Sequence, residues 1–252
     1  FEKTSTDTSI YFSDKKIWNC GDAYKQLQGT YPVIFLSFKD AHQTNWTDMY
    51  RSLCFTLKEE FLRHIELLSS KAINEYDKKY IHNLINDVAD STDYQFALGK
   101  LSSLLATHYN QKVIIIIDEW DCIFREFKND KEAQEKYLDF LRDLIKDKSY
   151  IHLAYMTGIL PIKKYGTHSA LNMFDEFSMI DPGPLASYVG FTESEVEKLC
   201  GEYQMDIDEI RNWYDGYSFE EVPSVYSPKS VISCMRLGRL GNYWNQTETF
   251  EA

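Results

Sequence analysis

The chain has 252 residues, enough for one large domain or for one domain with a smaller appendage. Apolar residues make up 44% and aromatics 15%, which supplies a sizeable core and argues against global disorder. The formal net charge of -12, from 39 acids against 27 bases, opposes nucleic-acid binding by the whole surface, because phosphate affinity needs Lys and Arg to displace counterions. A local basic patch is the only route left to that role.

Residues 1 to 30 are mostly polar, with a short helix expected near 21 to 27 that ends at Gly29. The run Tyr31-Pro32-Val33-Ile34-Phe35-Leu36-Ser37-Phe38 reads as a strand buried on both faces, with Pro32 tolerable at its start. A long helix is predicted from about Asn45 to Leu68. Trp46, Met49, Tyr50, Leu53, Leu57, Phe61, Ile65 and Leu68 recur there at spacings of three and four, and Asn45 is the candidate cap. Tyr80, Ile81, Leu84, Ile85 and Val88 mark another helix. Phe96, Leu101, Leu104, Leu105 and Tyr109 mark a third, weakened by Gly99.

Val113-Ile114-Ile115-Ile116-Ile117 then forms a run of β-branched residues, followed by Asp118-Glu119-Trp120-Asp121. Such a run fits a central strand covered by helices on both faces of a parallel sheet. Its acids then fall at the carboxyl edge, where open α/β sheets bind ligands. A helix within 131 to 146 and a strand Tyr150–Met156, ending in Thr157-Gly158, complete the rhythm of βα crossovers.

From about 181 the texture changes. Pro182, Gly183 and Pro184 break the pattern. A capping box at Thr192–Glu195 starts a short helix, and Ile207, Ile210, Trp213 and Tyr214 indicate another. Asp215-Gly216 reads as a turn. Ser227-Pro228 opens a last helix that closes at Gly238. The expected division is therefore an α/β core over 1–180 and a small helical lid over 181–252.

Five cysteines at 20, 54, 122, 200 and 234 contain no CxxC pair, so no zinc or disulfide framework can be read from them. Reduced thiols in a cytoplasmic protein are the plain interpretation. The six histidines show no metal-ligand spacing. No apolar run approaches the roughly 18 residues that a membrane span requires. The first residue is Phe rather than Met, and the expectation is a fragment of a longer protein.

Four Ile followed by Asp-Glu resembles the Walker B segment of P-loop ATPases. In that chemistry the Asp at the strand end holds Mg²⁺ and the adjacent Glu polarises the attacking water. These roles fall on Asp118 and Glu119, with Thr157 at a neighbouring strand end placed to sense the γ-phosphate. Asp121 is read as a helix cap rather than a second acid of the site. Lys39, Asp40, Lys163, Lys164 and Asn172 are weaker candidates, better explained as solvated or structural residues. The aromatic stretch Trp213–Tyr217 is read as core packing in preference to base stacking. A stand-alone metal site built from Asp118, Glu119 and Asp121 is disfavoured, because consecutive strand residues point to opposite faces. The phosphate-loop signature is missing: Gly-Lys occurs only at Gly99-Lys100, followed by Leu101 within a helical pattern.

The stretches YPVIFLSFKD (31–40), KVIIIIDEWD (112–121), LAYMTGILPIKK (153–164), LNMFDEFSMIDPGP (171–184), GFTESEVEKLC (190–200), WYDGYSF (213–219) and VYSPKSVISCMRLGRLGNYW (225–244) resemble, in the same order, the AAA-ATPase-like family. In that family a P-loop domain precedes a C-terminal restriction-like nuclease domain of the PD-(D/E)XK type. The resemblance implies a parallel-sheet P-loop NTPase core, ATP and Mg²⁺ as cofactors, and control of the attached nuclease or a partner. It also implies that a strand and a Gly-Lys-Ser phosphate loop precede the segment seen here, with that strand central in the sheet. Two departures stand out: Pro161 replaces a basic residue common in the family, and Trp120 replaces a common Tyr. The competing expectation is a non-catalytic interaction domain that keeps the fold.

Overall fold

The computed structural model describes residues 1–39, 43, 45–145, 148–161 and 174–246. They fall into two compact units, Phe1–Phe174 and Asp175–Ala252.

The first unit contains α1 (Asp22–Lys25), β1 (Val33–Ser37), α2 (Trp46–Arg63), α3 (Glu75–Ile85) and α4 (Ser91–Tyr109). It continues with β2 (Val113–Asp118), α5 (Cys122–Glu126), α6 (Lys131–Ile145) and β3 (Ile151–Met156). The α/β class is as expected: β1, β2 and β3 form a parallel three-stranded sheet in that order, with β2 central. Val33 pairs with Ile114 and Ser37 with Asp118, so β1 and β2 end level with one another. Ile117 pairs with Met156, which brings Thr157 to the same edge.

The helices start where the sequence indicates. Asn45 caps α2, its side chain accepting from the Asp48 N–H at 3.0 Å. An Asp90–Asp93 capping box opens α4. Gly99 is tolerated inside α4 because a Cβ there would approach the Tyr150 hydroxyl to 3.3 Å, so the missing side chain makes room for Tyr150. The helix expected through Leu68 instead stops at Arg63 and continues as a 3-10 turn, Ile65–Ser69.

The two faces of the sheet are buried unequally, against the expectation of two covered faces. Ile34, Leu36, Ile115 and Ile117 join the core made with α2, α3, α4 and α6. On the opposite face Val33 and Ile114 are buried, at 5% and 1% exposure, whereas Phe35 is 49% exposed and Tyr155, in register with it through Ile116, is 51% exposed. The expectation of two covered faces therefore holds at Val33 and Ile114 and fails at Phe35 and Tyr155.

The outer edge of β1 is closed by side chains of α2 and the residue after it. The Phe35 N–H donates to Glu60 Oε1 at 3.0 Å, while Arg63 and His64 contact the Val33 carbonyl at 2.5 and 3.1 Å. Glu60 and His64 are buried. Burial pushes the Glu60 carboxyl up, but hydrogen bonds from Arg63 and His64 outweigh it and leave the group below its ordinary value.

The second unit is not purely helical, as the sequence had suggested. It contains β4 (Phe191–Thr192), α7 (Glu193–Tyr203), α8 (Ile207–Tyr214), β5 (Asp215–Tyr217), β6 (Val225–Tyr226) and α9 (Pro228–Leu237). The strands form a small antiparallel sheet in the order β4-β6-β5. Asp215-Gly216, read as a turn, lies instead in β5, because Asp215 and Tyr217 pair with Tyr226 and Val225. The Glu195 carboxylate accepts from the Thr192 N–H at 3.1 Å, and Gly238 closes α9 at a φ of +61°. Tyr214 packs in this unit's core with Val196, Ile210 and Tyr226, whereas Trp213 and Tyr217 are exposed. The core-packing reading of that aromatic stretch therefore holds for Tyr214 alone. No helix among the described residues is long and apolar enough to cross a membrane.

Candidate functional site

Level strand ends bring three oxygen-bearing side chains together. Asp118 closes β2, Ser37 closes β1, and Thr157 follows β3. The Thr157 hydroxyl donates to Asp118 Oδ1 at 2.6 Å, and the Ser37 hydroxyl donates to Oδ2 at 3.3 Å. Each carboxylate oxygen of Asp118 is thus held by a hydroxyl from a different neighbouring strand. Backbone bonds fix the same edge: Phe38 N–H to the Asp118 carbonyl, Thr157 N–H to Ile117, and Trp120 N–H to Thr157, at 3.0, 2.9 and 3.0 Å. The Thr157 hydroxyl is therefore spent on Asp118 rather than on the turn at Gly158. Asp118 is half-buried, and its carboxylate with the two hydroxyls beside it is an all-oxygen donor set, a type that suits a hard cation keeping some of its waters. Among the described residues no three His, Cys, Asp or Glu side chains converge on one point, so the carboxylates at 118, 119 and 121 do not make a metal cluster by themselves.

Glu119 leaves the sheet differently. Its φ is +59°, a left-handed conformation that is uncommon for a side chain of this size. This turn sends its carboxylate to Arg125 on α5, with which it forms a close ion pair. Glu119 and Asp118 are sequence neighbours with separate partners: Ser37 and Thr157 for one, Arg125 for the other.

Asp121 precedes α5, but its side chain makes no capping hydrogen bond to that helix, contrary to the reading as a helix cap. The carboxylate, 0% exposed, turns to the segment leaving β3, where Oδ2 accepts from the Ile159 and Leu160 N–H groups at 3.1 and 2.9 Å. Two uncapped amides after β3 outcompete the first turn of a five-residue helix for this acceptor. Gly158 permits the approach: a Cβ there would lie 2.6 Å from Asp121 Oδ1 and 2.7 Å from the Trp120 ring. Beneath the acids, the buried Tyr137 hydroxyl donates to the Trp120 carbonyl at 2.6 Å. Its phenol is pushed well above its ordinary value by burial, so it remains a neutral donor.

Of the weaker candidates, Lys39 is exposed at the end of β1. Asp40, Lys163, Lys164 and Asn172 lie outside the described residues. Gly99-Lys100 lies within α4, with Lys100 bound to Asp77 at 2.5 Å, and this placement excludes it as a phosphate loop. Sequence reading missed Ser37 and Arg125. The spacing of four between Asp121 and Arg125 was a visible helical-pair signal. Nothing local marks Ser37 as a partner of Asp118, which is 81 residues away.

Comparison with known proteins gives the chain's family. A family model described as "Predicted AAA-ATPase" matches residues 1–167. A protein of Azotobacter chroococcum mcd 1, named "Uncharacterized protein in vnfD 5'region", is 28% identical over 145 residues, which is 55% of this chain and 28% of that protein. The chain thus spans under a third of the length of the curated relative it matches. No solved structure matches the chain. On the family match, which covers more than half of the sequence, the chain belongs to the AAA-ATPase-like family.

Proposed function

We propose that this chain supplies the metal and water side of an ATP-hydrolysing module within a larger protein, where nucleotide turnover regulates an attached nuclease domain or a partner. The observation that carries the reading is the hydrogen bond from Thr157 to Asp118 across the carboxyl ends of β3 and β2. A strand-end Asp held by hydroxyls on both sides is an oriented oxygen donor, and the Ser37, Asp118 and Thr157 oxygens fit Mg²⁺, which is usually bound through one or two carboxylates plus phosphate oxygens and water.

In this reading Asp118 holds Mg²⁺, directly or through water, and Thr157 keeps that carboxylate aimed while its own position reports on the γ-phosphate. Glu119 orients the attacking water and accepts its proton. When bound, Mg²⁺ supplies neutralisation of charge on the phosphate oxygens. The phosphates themselves need the backbone N–H groups and the Lys of a phosphate loop, a motif missing from these 252 residues. We assign that loop to a segment of the larger protein whose strand pairs along the outer edge of β3. Among the described residues β3 pairs with β2 alone, and the outer edge of β1 is already sealed by Glu60, Arg63 and His64.

A second reading, a domain that keeps the fold without turnover, is favoured by the ion pair that occupies Glu119. The two are separated in a longer protein that carries a Gly-Lys-Ser or Gly-Lys-Thr loop. There, Glu119→Gln should lower ATP turnover by about 10²-fold or more while ATP binding is retained, the size expected for a lost general base. Turnover unchanged by both Glu119→Gln and Asp118→Ala contradicts the ATPase reading.

A further inference from the structure

We propose that Arg125 is a positioning residue for Glu119, and that it couples the Glu119 carboxylate through Asp121 to the loop leaving β3. The catalytic meaning of this latch rests on the ATPase reading of Glu119. The latch itself can be observed without turnover.

Three observations carry it. First, Arg125 faces two acids: one end of its guanidinium is paired with Glu119, while Nε lies 3.6 Å from Asp121 Oδ2, within ion-pair range but beyond a hydrogen bond. Second, each of these two paired side chains carries a buried polar atom without a hydrogen-bond partner among the described residues: Arg125 Nε, a donor, and Asp121 Oδ1, an acceptor. Buried groups left unpaired are costly and call for an explanation. Third, Glu119 is held in a left-handed conformation, which persists only where surrounding contacts enforce it.

A guanidinium with two candidate acceptors has two resting places. In this structure it serves Glu119, and its bond to Asp121 is incomplete. When Glu119 turns away to act on water, the same guanidinium can complete the bond to Asp121 and satisfy both orphaned atoms. The alternative pairing offsets the loss of the first, so releasing Glu119 costs less than breaking a lone ion pair. Because Asp121 Oδ2 also accepts from Ile159 and Leu160, a firmer Arg125–Asp121 bond holds the loop after β3 more tightly. The state of Glu119 is thereby transmitted to the end of the strand that carries Thr157.

Amide hydrogen exchange at Ile159 and Leu160, measured residue by residue in the 252-residue chain, tests this. Glu119→Gln, which weakens the first acceptor, should slow exchange at both amides severalfold relative to the wild type. The same substitution made with Arg125→Gln should leave exchange at its Arg125→Gln level. If Arg125→Gln does not fold because Asp121 loses its cation, Arg125→Lys replaces it. A lysine keeps the charge beside Asp121 but lacks the fork that reaches both acids. With Lys at 125, Glu119→Gln should likewise have no effect on the two amides. Unchanged or faster exchange in Glu119→Gln, or a slowing that persists without Arg125, overturns the proposal. Absence of ATP turnover in a longer protein, with the coupling intact, removes the functional reading and leaves the latch standing.

Discussion

The Thr157 hydroxyl donates a 2.6 Å hydrogen bond to Asp118, joining two strand ends that lie 39 residues apart in the chain. Replacing it by the isosteric Val keeps the shape and β-branching and removes the donor. Thr157→Val should therefore cost about 0.5–1.5 kcal/mol, the usual net worth of one such bond. Urea denaturation provides the measurement, and an unchanged midpoint contradicts the assignment.

Tyr137 supports the acids from below. Tyr137→Phe leaves the buried Trp120 carbonyl without its hydroxyl donor, at an expected cost of about 1–3 kcal/mol. Because the phenol is held neutral by burial, that difference should not vary between pH 6 and roughly pH 9, below the ordinary tyrosine range. A loss that fades at the upper end of this range contradicts a neutral donor.

Gly158 is required for space, not for backbone freedom, since its φ is not among the left-handed values. In Gly158→Ala the new Cβ meets Asp121 and the Trp120 ring at under 3 Å, so either the loop or the indole must shift. Destabilisation of about 1–3 kcal/mol is expected from such overpacking, together with a change in Trp120 fluorescence. A wild-type spectrum and melting temperature count against the close approach.

Glu60 ties α2 to the sheet edge and has a folded-state pKa below the ordinary 4.5. The sign follows from linkage: a depressed carboxylate stabilises the fold fully above its unfolded pKa, and that contribution is lost as pH falls through the lower folded value. Wild type should therefore lose stability more steeply than Glu60→Gln as pH drops below about 4.5. Parallel pH profiles for the two proteins contradict this.

Much of this arrangement is legible in the sequence, and the remainder is not for physical reasons. Val113–Asp118 declares a buried strand by β-branching, and Asp118 falls at its carboxyl end by simple position. Asn45 and Gly238 mark helix ends because capping is local chemistry. Ser37 is different, since a serine ending an apolar run looks like any strand terminus until the β1–β2 register sets it beside Asp118. Asp121 shows the limit of local rules. Its place before α5 predicts a cap, yet a tertiary contact with Ile159 and Leu160 takes the carboxylate. Phe35 and Tyr155 belong to apolar runs that fit either one or two covered faces, and only the placement of the helices decides between them.

ATP turnover by purified residues 1–252, compared with the Glu119→Gln form of the same chain, tests the central claim most directly. The account gives Asp118, Glu119 and Thr157 one side of the site and assigns phosphate binding to a loop missing from this sequence. It predicts no Mg²⁺-dependent turnover above the Glu119→Gln control for this chain. Turnover above that control would place a complete site within these residues and contradict the account.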